Sequence, residues 1–197
     1  MSQSSEHPPG PLAPLSLRHR VSLLYEGRRQ TILEVAVEAM RRAGLHPVVE
    51  PQYRYARGQI GQDITIEVSF ATSFRIFGAL IDTLWAGKNE GIRRPITPLG
   101  YRFGRPGRFV PRSKSEKARG WADALSSDPA LRPLIARAEL TEIRLEESPH
   151  GRIAQLRPLA GTITALYFPP LPPYTVRLRP GEADAQLELL TRLLTRP

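Results

Sequence analysis

Arginines at positions 102, 105, 108 and 112 recur every three or four residues, and Tyr101, Phe103 and Phe109 stand between them. Lys114 and Lys117 follow directly. Guanidinium and ammonium groups at this density suit the phosphates of a polyanion, and interleaved aromatic rings suit stacking on unpaired bases. Arg102, Arg105, Arg108, Arg112, Lys114 and Lys117 are therefore the expected polyanion-binding residues. Tyr101, Phe103 and Phe109 are the expected stacking residues. Nucleic acid is the expected partner, single strands or RNA ahead of duplex DNA.

The wider window makes the same point through charge. Residues 93–119 carry nine basic side chains against one acid, Glu116, which is +8 of the chain's net +9. The rest of the chain is close to balanced. Within the window, Gly104-Arg105-Pro106 resembles the core of an AT-hook, which lays Gly-Arg-Pro in the minor groove of A·T-rich DNA. An AT-hook has arginine immediately before that glycine; here Phe103 takes the place and Arg102 lies one residue further out. A plain alternative stands beside these readings. Arg outnumbers Lys 25 to 3 along the whole chain, so arginine as such reports composition, and a charged loop can simply be solvated.

Other chemistry is sparse. With no cysteine there is no thiolate nucleophile, disulfide or Cys-ligated metal centre, and the composition suits a reducing compartment such as the cytoplasm. Of the four histidines, His7 lies near the start, His19 sits among arginines, His46 follows a helix end, and His150 occupies a Pro-His-Gly turn. None has a second ligand at metal spacing, so no metal and no catalytic residue is assigned. Asp63 and Glu67 share a strand face about 13 Å apart, too far to hold one atom between them. Glu34 and Glu38 lie on the wet side of a helix. No glycine spacing matches a phosphate-binding loop or a dinucleotide fingerprint, and no cofactor is implied. An enzyme with a site assembled from distant residues, among them Asp63, Glu67, His46 and His150, remains the alternative from another class.

The elements that must position these residues follow from periodicity. Residues 1–16 read as a disordered Pro/Ser-rich tail without the apolar stretch of a signal peptide. Residues 17–197 read as one α+β domain. A helix spans 28–43 and ends at Gly44. Strands at 48–55 and 63–70 flank a turn on Gly58 and Gly61. The apolar segment 74–86, with Phe74, Phe77, Ile81 and Trp85 on one stripe, predicts a largely buried helix. That segment and the basic loop beside it also raise the reading of a peripheral membrane anchor, although no stretch is long enough to span a bilayer. Residues 88–112 read as one long irregular Pro/Gly/Arg-rich loop. Ser113 and Glu116 have capping-box spacing for a helix, and a second helix containing Pro133 follows over 128–139. Strands at 140–146, 152–157, 162–168 and 175–179 precede a helix over 181–195. The run Pro169-Pro170-Leu171-Pro172-Pro173 between two of them reads as a stiff connector. The order does not alternate strand and helix, which predicts a mostly antiparallel sheet of about five to six strands with helices packed on it.

Overall fold

The computed structural model describes residues 17–50, 54–76, 78–92, 99–104, 108–112, 114, 116–148, 150–166 and 174–196. The expected tail, Arg93, Arg94, the Arg105-Pro106 step and the proline run 169–173 lie outside the described residues.

Helix α1 (Leu17–Arg42) leads into β1 (Val48–Val49), β2 (Tyr55–Ile60), β3 (Ile64–Arg75) and β4 (Gly78–Asn89). A hairpin of β5 (Leu99–Gly104) and β6 (Arg108–Pro111) precedes α2 (Glu116–Ser127) and α3 (Leu131–Ala138). The chain continues through β7 (Leu140–Ser148), β8 (Gly151–Pro158), β9 (Ile163–Leu166) and β10 (Tyr174–Thr175) to α4 (Pro180–Thr195). The strands join in one 10-stranded sheet, order β1-β2-β3-β4-β8-β7-β5-β6, with β9 paired to β4 and β10 to β9. Every pairing is antiparallel. The α+β class and the helix-covered antiparallel sheet are as the sequence predicts; the sheet is larger.

Period-2 burial shows which face of the sheet is covered. In β3, Ile64, Ile66 and Val68 are buried; in β4, Ile81, Thr83 and Trp85; in β8, Ala154 and Leu156. Leu187, Leu190 and Leu194 of α4 and Ile32, Ala36 and Met40 of α1 complete the core. A methyl group added at Gly87 would lie 2.4 Å from Leu194 Cδ1, so the absence of a side chain there lets α4 lie close on β4.

The far end of α4 is held by buried polar groups. Arg152 is 0% exposed and donates to Glu147 Oε1 from Nε (3.0 Å) and Nη2 (2.6 Å). Its Nη1 donates to the carbonyls of Leu193 (3.0 Å) and Arg196. Asn89 Nδ2 donates to the Leu194 carbonyl at 2.9 Å. The last turn of a helix has carbonyls without helical partners and a partial negative charge. Arg152 and Asn89 satisfy both, and Glu147 neutralises the buried cation. Gly151, beside Arg152, has φ +118, and a Cβ there would lie 2.2 Å from the Asn89 carbonyl oxygen. Only glycine fits so close an approach in that conformation.

Several expectations are corrected. Segment 74–86 is not a helix: it forms the end of β3, a turn, and most of β4. β4 is an interior strand whose partly covered face also carries Leu80, Leu84 and Ala86, so apolar residues on both sides imitate a helical stripe. Trp85 and Ile81 are core, whereas Phe74 is 77% exposed near the hairpin tip, so the expected anchor stripe does not form. Gly58 belongs to β2, where a Cβ would lie 2.9 Å from Leu45 Cδ2; the turn falls at Gly61, with φ +62. Within 88–112, β4 runs on to Asn89, and the segments Leu99–Gly104 and Arg108–Pro111 are paired strands rather than irregular loop. Pro111 is tolerated because it ends a strand that pairs on one side only.

Candidate polyanion interface

Two described segments of the basic window, β5 and β6, are built onto one edge of the sheet. β5 pairs with β7 on one side and β6 on the other, and β6 is the edge strand. Two contacts fix β6 from behind. Phe109 is 3% exposed in the core, and its backbone N–H donates to Ser126 Oγ of α2 at 2.9 Å. Ser126 Oγ in turn donates to the Ala122 carbonyl at 2.7 Å. Burial of Phe109 corrects its expected stacking role, since a ring packed in the core presents no face to a base.

The positions of the other expected residues divide by register. Tyr101 and Phe103 stand across the ladder from Leu145 and Ile143, both 0% exposed. Arg102 stands across from Arg144 of β7 and Val110 of β6. Arg108, Arg112 and Lys114 are exposed. Arg112 Nη1 lies 3.3 Å from Glu146 Oε1, an exposed pair that a competing anion could open at small cost. Arg119 Nη2 donates to the Lys114 carbonyl at 2.9 Å, tying the approach to α2 to its first turns. Lys117 falls within α2. Arg105 lies outside the described residues.

Arg144 alternates with the buried Ile143 and Leu145 of β7 and so points to the opposite, helix-free face. It is bound through Nε to Glu142 Oε1 at 2.9 Å and through Nη2 to Glu142 Oε2 at 3.3 Å. The hydrogen bond to Glu142, then the charge of that carboxylate, raises the Arg144 guanidinium above its ordinary pKa, so it stays cationic throughout the physiological range.

The groups weighed for an enzyme are occupied or dispersed. Glu67 accepts from Arg57 Nη2 at 2.7 Å, and this hydrogen bond raises the Arg57 pKa. His46 and His150 are exposed at connections between elements. Among the described residues no three His, Asp or Glu side chains group as metal ligands, and no helix is long and apolar enough to cross a membrane.

Two features had no signal in the sequence. Arg152 caps a helix whose contacted carbonyls are 41 and 44 residues away. Asp82 and Arg157 meet across the sheet at 3.8 Å. Neither pair has a local spacing that could reveal it. No family model, no curated protein and no solved structure matches the chain.

Proposed function

We propose that this protein is a non-enzymatic binding protein that engages a polyanion, nucleic acid first, along the edge formed by the β5–β6 hairpin and the start of α2. The observation that carries the reading is how the basic segment is seated. A solvated loop needs no anchoring, whereas this one is paired into the sheet, pinned by Phe109, and bonded to α2 through Ser126. Cations held on a paired edge lose less conformational freedom on binding than cations on a free loop. With Phe109 in the core, the reading rests first on charge, and stacking on unpaired bases falls to Tyr101 and Phe103.

The test is fluorescence anisotropy with labelled single-stranded DNA, duplex DNA and RNA of equal length. It compares the full chain with a variant carrying Arg102→Ala, Arg105→Ala and Arg108→Ala. Loss of three phosphate contacts should weaken binding at least tenfold at low salt for every probe. Equal affinity of the variant would end the proposal.

A further inference from the structure

A second candidate site lies on the helix-free face of the sheet, away from the basic edge. β4 changes partner along its length. Trp85 to Asn89 pair with β8, and Gly78 to Ile81 pair with β9, leaving Asp82, Thr83 and Leu84 without a ladder partner on that side. The sheet therefore forks at Asp82. A crevice of about 560 Å³ opens there, lined from β3, β4, β7, β8, β9 and β10. That is within the size range of small-ligand sites.

Arg157, at the fork, is incompletely paired. Arg157 Nε is buried and has no hydrogen-bond partner. It lies 3.8 Å from Asp82 Oδ2, and Arg157 Nη1 lies 3.8 Å from Glu142 Oε2. Both distances are ion-pair separations beyond hydrogen-bond reach. A buried donor without an acceptor is costly and calls for an explanation. The rest of the guanidinium is reachable, since the Arg157 side chain is 38% exposed and lines the crevice with Asp82, so a ligand hydroxyl could accept from its outer edge and donate to Asp82. An anion would meet Asp82 and a cation would meet Arg157, so neither charge is favoured.

The walls fit the same class of ligand. Ser73 Oγ donates to the Leu80 carbonyl at 3.4 Å, and Thr141 Oγ1 donates to the Arg157 carbonyl at 2.8 Å. Their protons are engaged, and their lone pairs are left to accept. At the rim, Tyr174 is 68% and Leu159 47% exposed, large apolar surfaces set beside a polar floor. Hydroxyl groups on one side of a ring and C–H groups on the other complement such walls.

We propose that the sheet fork binds a small, uncharged, polyhydroxylated molecule of the monosaccharide or disaccharide class, with Asp82 and Arg157 sharing one hydroxyl and Tyr174 covering a ring face. Saturation-transfer NMR on the full chain tests it. The probes are glucose, galactose, mannose, N-acetylglucosamine, maltose and lactose, with inorganic phosphate and ethanolamine as charged counter-probes. At least one neutral sugar should receive transfer, and its affinity should fall at least tenfold in Asp82→Ala and severalfold in Tyr174→Ala. Tyr174 is mostly exposed, so its variant reports on the site even where Asp82→Ala disturbs folding. Absence of transfer to every sugar, preference for phosphate or ethanolamine, or sugar transfer undiminished in Tyr174→Ala would each overturn the proposal.

Discussion

Arg152 is a fully buried cation that joins a buried carboxylate to the end of α4. Its guanidinium serves Glu147 on one side and, on the other, the carbonyls of Leu193 in α4 and Arg196 just past it, and it lies 5.3 Å from the centre of the Trp121 ring. Removing one member of a buried ion pair leaves the other charged and unpaired, at a cost of about 3–5 kcal/mol. Arg152→Ala should lose about that much in urea unfolding, and adding Glu147→Ala should restore part of it. A loss under about 1 kcal/mol would mean that the end of α4 is held by other contacts. Phe109 gives a second residue-scale prediction, because the two roles considered for it differ in cost. A buried phenylalanine truncated to alanine costs about 3–5 kcal/mol, whereas an exposed stacking ring costs little in the free protein. Phe109→Ala should therefore destabilise by about that amount in urea, and near-neutrality would return the ring to the candidate interface.

Elements with a single exposed face were legible in the sequence. The Ile64, Ile66, Val68 alternation of β3 and the leucine stripe of α4 are both one-sided, and both appear as predicted. β4 failed for the opposite reason. It lies between β3 and the β8–β9 pair, and apolar residues on both its faces conceal the period of 2. β5 and β6 failed because Gly100, Gly104 and Pro111 look like loop punctuation. Pairing of β5 to β7 and of β6 to β5, and not their own propensity, makes them strands. The corrected β4 has an optical consequence. Trp85 is 0% exposed, so in a Trp121→Phe variant the remaining tryptophan emission should already be blue-shifted in buffer. Adding anionic vesicles should leave it unchanged. A blue shift that appears only with vesicles would restore the membrane-anchor reading.

On the scale of the whole molecule, the charge window was plain in the sequence, but its seating was not. Composition located +8 of the net +9 within residues 93–119, because charge can be counted without a fold. That β5 and β6, within the window, lie at the sheet's edge depends on pairing between β5 and β7, which β6 and two helices separate in the chain. The Asp82–Arg157 fork was hidden for the same reason, since residues 75 positions apart share no local pattern. On the proposed reading, charge so concentrated in one window beside a nearly balanced remainder would bind through counterion release. About four phosphate contacts would make log K fall against log[salt] with a slope of about −3 on a single strand and about −3.6 on a duplex.

The most direct test of the polyanion reading is that slope. It is measured by anisotropy titrations of one labelled oligonucleotide, repeated at salt concentrations from about 50 to 300 mM. A slope near −3, moving towards zero in the Arg102→Ala, Arg105→Ala, Arg108→Ala variant, is the expected result. A slope near zero, or one that the three substitutions leave unchanged, would contradict it.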